Sequence, residues 1–274
     1  MTPNPPRSPR AAHALLIAAI LFGVLLPLLP LVIWSFAHRW IFPDVLPSEW
    51  SGRAWSYVLS DNSQVGRALV NSLGVAMTVT LLSVLIGLPA GRALALHDFR
   101  GKSVVLFLFL APSIMPVISV AMGIHVAFLR YGLADTMTGV ILAHLIPVLP
   151  YVTLIFIGVF TNYNLDFEGQ ARSLGARPIQ ILRHVMLPAI RPGLIVAGLF
   201  AFIISWSQYL LTLLIGGGRV ITLPVLLFAF ANSGDNAITA ALSLVFIAPA
   251  LLLFLFSARH LSGRNAAMGG LGKL

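Results

Sequence analysis

The chain has 274 residues, 58% of them hydrophobic and only 9% charged. Soluble domains carry about 25% charged residues, so this composition excludes a water-soluble enzyme and describes a polytopic membrane protein. The absence of cysteine excludes a disulfide framework and a thiolate metal site, and the formal net charge of +9 raises nucleic acid as a partner unless its placement along the chain has another cause.

Residues 1–13 include the basic, Pro-rich MTPNPPRSPR and are expected to form a tail. The apolar run from Ala14 to Phe36 exceeds the about 7–15 residues of a signal-peptide core and matches the about 20 of a spanning helix, so it is read as an uncleaved first span. The loop Ala37–Gln64 is bordered or occupied by Trp34, Trp40, Trp50 and Trp55. Tryptophan favours the headgroup zone, so this loop is expected to hug the membrane, with a short amphipathic helix near Arg53–Leu59. The second span is predicted over Val65–Leu96. The third, Ser103–Leu129, carries a broken stretch Pro112-Ser113-Ile114-Met115-Pro116. The fourth, Thr136–Phe160, holds His144, Pro147 and Pro150. The fifth covers Pro192–Ile215 and the sixth Ala237–Arg259, joined by a Gly-rich loop, Gly216–Asn236.

Residues 14–260 are thus read as one all-α membrane domain of six spans, followed by a tail over 261–274. Of the seventeen Lys and Arg residues, twelve fall on the side of the N-terminal tail and five on the other. Cytoplasmic segments carry the excess of positive charge, so the expected topology is N-in and C-in. The +9 is orientation information, and nucleic acid is not an expected partner.

The longest polar run between two apolar segments of the second half is Asn162–Pro192, NYNLDFEGQARSLGARPIQILRHVMLPAIRP. It reads as two short helices broken at Gly175. Asn164 can cap the first by accepting from free backbone N–H groups. Asp166 and Glu168 sit near its positive end and Arg172 near its negative end. Phe167, Ala171 and Leu174 share one apolar face, and Gly175 stands where a left-handed stop costs least. Pro178 can open the second helix. Ile179, Leu182 and Met186 form its apolar stripe, and Pro188 is expected to end the pattern. These features also suit an ordinary amphipathic loop lying on lipid headgroups.

No catalytic constellation accompanies this loop. The seven histidines never fall at i, i+3 or i+4, so no helix presents a ready metal pair. His125 and His144 lie inside predicted spans, where an ionisable group either serves function or bonds a neighbouring helix. Gly101-Lys102-Ser103 resembles the end of a phosphate loop, but Leu96 occupies the place of its first glycine. The densest polar patch of any span is Ser205-Trp206-Ser207-Gln208-Tyr209, which suits a substrate pathway, helix–helix hydrogen bonding, or both.

The run Asn162–Pro192 resembles the EAA loop of binding-protein-dependent ABC importer permeases of the type I fold, in which E-A-A, three residues, Gly and nine further residues precede Ile-x-Leu-Pro. Here Gly175 is followed at that distance by Val185-Met186-Leu187-Pro188. The triplet itself falls on Gly169-Gln170-Ala171, with Glu168 the neighbouring acid. Val70-Asn71-Ser72-Leu73, Asp98–Lys102, Pro112–Pro116 and Leu223-Pro224 look like the spermidine/putrescine-type branch. That branch carries acids where this chain has Ser207 and Gln208, so a zwitterionic, phosphonate or other small polar solute fits at least as well as a polyamine.

The resemblance implies a bacterial inner-membrane permease subunit, not itself an enzyme. It would work with a second permease subunit (a heterodimer rather than a homodimer), two ABC ATPases that bind the ATP and Mg, and a separate substrate-binding protein; no cofactor is expected on this chain. The implied ATPase-coupling residues are Phe167, Glu168, Ala171, Arg172, Leu174, Gly175, Ala176 and Pro188. Residues expected along the substrate pathway are Ser113, Met115, Ser205, Ser207, Gln208 and Tyr209. The competing reading is a self-sufficient secondary transporter.

Overall fold

The computed structural model describes residues 19, 22–23, 25–41 and 43–268, with side chains described as far as Ser257. Much of the first expected span, the tail 1–13 and residues 269–274 lie outside the described residues. The chain forms two compact units: one from the segment ending at Ser63 together with Leu227–Phe246, the other from Gln64–Leu226 together with the chain from Ile247 onward.

In the first unit, α1 (Leu28–Ser35) leads into a two-stranded antiparallel sheet. Its strands are β1 (Ala37–Arg39) and β2 (Glu49–Trp50), with Ala37 opposite Trp50. These strands depart from the all-α expectation. The predicted short helix is present as α2 (Arg53–Val58). Trp55 Nε1 donates to Ser35 Oγ at 3.2 Å, and Arg53 pairs with Asp235 at 2.8 Å. Asp235 Oδ1 also accepts from the Ile238 N–H at 3.1 Å, satisfying one of the orphan donors of a helix start.

The second unit is built on α3 (Val65–Leu96), α6 (Met137–Thr161) and α9 (Leu187–Trp206), which pack against one another. The buried positions of α3 include Ala68, Ser72, Val75, Val79, Ser83, Gly87 and Gly91, a stripe at three- and four-residue spacing that follows the helical period. Facing it on α6 are Val148, Val152, Phe156 and Phe160, all fully buried. The two helices meet at the backbone: a Cβ on Gly91 would stand 2.5 Å from Phe156 Cβ, and one on Gly87 2.7 Å from Val152 Cγ1. Without a hydrophobic force between helices in lipid, such small residues at four-residue spacing let dispersion contacts accumulate.

The third predicted span is two helices rather than one straight crossing. α4 (Lys102–Ile114) and α5 (Val117–Arg130) meet at 106°. Met115 is extended, with φ −79° and ψ 145°, the conformation that a following proline imposes. At 1.5 Å per residue each arm is about 20 Å long, short of the about 30 Å hydrocarbon core.

The fifth span also differs from expectation. α8 (Pro178–Ile181), a π-helical segment (Leu182–Met186) and α9 form one helical path of 29 residues, Pro178–Trp206. Pro188 therefore does not end the pattern. It lies inside that continuous path, directly after the π segment, where the wider turn takes up the ring and the missing N–H. Ser207–Tyr209 break the chain before α10 (Leu210–Gly216), and the expected loop 216–236 contains α11 (Leu223–Ser233). The last helix, α12, runs over Asn236–Met268. Among the described residues four helices are long and apolar enough to cross a membrane, or five with the bent α4–α5 pair as one span.

Gly91→Ala is expected to destabilise the protein by about 1–3 kcal/mol, because Phe156 and the Thr153 carbonyl leave no room for a methyl group. Gly74→Ala, on the same helix with nothing within 4 Å, should gain about 0.5–1 kcal/mol. Unfolding of the detergent-solubilised protein by heat or SDS separates the two.

Candidate functional site

Between α6 and α8 the chain folds as read from its capping residues. α7 spans Asp166–Ser173, and Asn164 Oδ1 accepts from the Asp166 N–H at 2.8 Å. Its end is a full Schellman motif: the Ala176 N–H donates to the Ala171 carbonyl at 3.0 Å and the Gly175 N–H to that of Arg172 at 2.9 Å. Gly175 adopts φ +83°, the left-handed conformation this closure requires. Pro178 opens α8, and Gln180 Oε1 reaches back to accept from the Arg177 N–H at 2.7 Å.

The outward side of α7 is apolar. Phe167 is 54% and Leu174 89% exposed, with Ala171 and Ala176 half-buried between them and Arg172 open to solvent. Glu168 does the opposite. It is 3% exposed and turns inward, where Oε2 accepts from Arg92 Nη2 of α3 at 2.8 Å and lies 3.4 Å from Arg172 Nη2. The Arg92 guanidinium also contacts Met186 Sδ and lies over the Phe160 ring, 5.6 Å from its centroid. One side chain thus ties α3 to α6, α7 and the π segment. The hydrogen bond from Arg92 outweighs burial and holds the Glu168 carboxyl below its ordinary value of 4.5. Burial and the adjacent Glu168 carboxylate push the Tyr163 phenol up. Glu168 is therefore a brace inside the chain, in place of the outward docking acid expected from its position.

The second apolar stripe is also corrected. Ile179 is 65% exposed, whereas Ile181, Met186 and Ile190 are buried. The five-residue step from Ile181 to Met186 crosses the π turn, so an i+4 pattern assigns the wrong face. A recess of about 320 Å³ lies beneath it, lined by Arg92, Glu168, Arg172, Pro178, Leu182 and Met186 among others.

A second recess, of about 580 Å³, gathers Ser113, Met115 and Gln208 from the expected pathway residues with Pro112, Pro147, Tyr151 and Phe200. Ser205 lies behind it in a buried polar chain. His144 Nδ1 is 3.0 Å from Ser205 Oγ, and Nε2 is 2.9 Å from Thr212 Oγ1. Because Thr212 spends its hydroxyl proton on the Gln208 carbonyl at 3.0 Å, Nε2 must donate and Nδ1 accept from Ser205. His144 is thus the rivet between α6, α9 and α10. Ser207 is exposed, its hydroxyl donating to the Ile204 carbonyl at 3.3 Å, and Tyr209 is half-buried beside the break.

Sequence reasoning counted Arg92 as one basic residue among many and did not single out Gly87, Gly91 or Thr212. An arginine about one turn inside the end of an apolar helix, following a Gly-xxx-Gly pair, is the signal that would have found Arg92, Gly87 and Gly91.

The family model for binding-protein-dependent transport system inner membrane components matches residues 83–265. The chain is 30% identical over 202 residues to the trehalose transport system permease protein SugB of Mycobacterium tuberculosis, covering 72% of this chain and 74% of that one. It is 30% identical over 248 residues to PhnV of Salmonella paratyphi A, named for 2-aminoethylphosphonate transport, covering 89% and 92%. With the spermidine/putrescine transport system permease protein PotC of Haemophilus influenzae it shares 26% over 210 residues, covering 76% and 82%. In fold it is similar to a bacterial ABC transporter chain involved in alginate import, with a TM-score of 0.72 at 20% identity over 94% of this chain and 99% of that one.

Glu168→Ala leaves Arg92 without its carboxylate. Removing one partner of a buried pair costs about 3–5 kcal/mol; with Arg92 27% exposed, about 2–3 kcal/mol is expected. Because the folded carboxyl titrates below its ordinary value, this stabilisation is complete above about pH 4.5 and is lost as the pH falls through the folded value. Glu168→Gln should remove that acid-side slope from a plot of unfolding midpoint against pH.

Proposed function

Because the chain belongs to the inner membrane components of binding-protein-dependent transport systems and is a permease subunit of an ABC importer, we propose that α7 is the lever through which a separate ATPase drives it. The observation that carries this reading is the outward apolar face of Phe167 and Leu174, closed by the left-handed stop at Gly175. An exposed apolar face on a short, capped helix whose opposite side is pinned into the core is a docking surface that can transmit displacement. Ala171, Arg172 and Ala176 border it, and Pro188 sits where the path continues into α9.

In this reading the chain has six spans with both termini inside and pairs as a heterodimer with a second permease. Two ATPases hold the ATP and Mg, and a binding protein delivers solute. No chemistry is assigned to this chain. The solute would pass along the recess of Ser113, Met115, Tyr151 and Gln208, whose lining carries no charged side chain. A multiply charged cation leaves water at high cost in a cavity without carboxylates, so a zwitterion or a neutral polyhydroxylated solute fits better than a polyamine. Relatives named for 2-aminoethylphosphonate and trehalose transport are consistent with both. Family membership does not favour a self-sufficient secondary carrier.

Leu174→Asp should leave the unfolding midpoint of the isolated chain unchanged, since the side chain is 89% exposed. It should lower recovery of the ATPase in co-purification by about tenfold or more, as removal of an apolar interface anchor does. Recovery at the wild-type level would overturn the docking assignment.

A further inference from the structure

We propose that Arg92 is the positioning residue that carries the displacement of α7 into the membrane helices, through its ion pair with Glu168. This rests on the reading that α7 docks on the ATPase, and goes beyond it by naming the joint. α7 is only eight residues long, and on its outward face Phe167 is 54% and Leu174 89% exposed. Of its side chains that of Glu168 is buried, and it reaches α3 by a 2.8 Å contact. The same guanidinium contacts Met186 in the π turn and the Phe160 ring near the end of α6. One residue earlier, Gly91 brings α3 against Phe156 so closely that no Cβ would fit. A push on α7 therefore arrives at α3 and α6 together, at the point where those two helices can least slide apart.

The joint also has a release. Glu168 Oε1 and the Tyr163 hydroxyl are buried without a hydrogen-bond partner, and Arg172, itself largely exposed, holds Glu168 only at 3.4 Å. The tight contact on the carboxylate is that of Arg92, at 2.8 Å. A variant that neutralises one partner should thus free α7 to swing while its docking face remains intact.

The chain contains no cysteine, so labels can be placed singly in the assembled importer. Spin labels at Gln170→Cys on α7 and Leu85→Cys on the exposed face of α3 report whether the two move together, without needing any solute. A benzophenone on Leu174→Cys reports contact with the ATPase. In the otherwise wild-type complex the 85–170 distance should stay a single narrow population in both the nucleotide-free and the ADP–vanadate-trapped states. In Arg92→Gln and in Glu168→Gln it should be single without nucleotide and split on trapping, with the benzophenone cross-link retained; Arg92→Lys, which keeps a cation on Glu168, should restore one population. A single population in both Gln variants after trapping would overturn the proposal. So would a split present before nucleotide is added, which marks a merely loosened loop. Loss of the cross-link in the otherwise wild-type complex would instead overturn the docking reading.

Discussion

A carboxylate withdrawn from water must keep its cation, and the arrangement of the second unit follows from that requirement at Glu168. Its partner Arg92 is fixed in turn by Phe160 and Met186, so the carboxylate sets the rotation of α7 about its own axis. Successive residues of a helix differ by about 100° in direction. With Glu168 turned inward, Gly169, Phe167 and Leu174 face outward. The acid that the resemblance places at Gly169 would lie on an exposed flank; one position earlier, at Glu168, a carboxylate is an internal brace. In the proposed docking the outer contact then falls to the apolar side chains of Phe167 and Leu174.

The brace is useful only because what it grips is stiff. α3 and α6 approach at Gly87 and Gly91 with no space for a methyl group, and buried Val75, Val79, Val152, Phe156 and Phe160 fill the seam on either side. At the other end of α3, Asn71 Nδ2 donates to the Ile221 carbonyl at 2.9 Å, and Ser72 Oγ accepts from the Leu223 N–H at 2.7 Å. Two stretches that looked like separate family signatures, Asn71-Ser72 and Leu223-Pro224, are therefore halves of one contact. Polar side chains answer backbone groups of the segment before α11, which would otherwise lie unsatisfied in an apolar setting.

The parts legible in the sequence are those governed by local rules. Caps and stops around α7 were readable because Asn164, Gly175 and Pro178 each solve a backbone problem within a few residues. The helices α3 and α6 were readable from their apolar length. Position-specific exceptions to helical regularity were harder. Pro188 reads as a breaker, yet a π turn ahead of it lets the helix run on, and that one-residue insertion also moved the buried stripe from Ile179 to Ile181. The partnership of Arg92 with Glu168 joins residues 76 apart, and nothing local marks it. The strands at Ala37 and Glu49 are three and two residues long, too short for a period-two pattern to mark them.

The prolines illustrate the same limit and also the way past it. Taken singly, Pro112, Pro116, Pro147 and Pro150 are as well explained by packing kinks as by function. The structure brings the interruptions to one place. The Met115–Pro116 break, the α6 stretch from Pro147 to Tyr151 and the Ser207–Tyr209 break all contribute to the 580 Å³ recess. Backbone freed from helical hydrogen bonds at membrane depth is tolerated only where protein buries it or water reaches it. Two chain breaks and the proline-bearing stretch of the unbroken α6 meet at one recess, as the proposed pathway requires. The His144 rivet immediately behind ties α6, α9 and α10 together, so the rear of the recess is held by side-chain hydrogen bonds and its front by the two chain breaks.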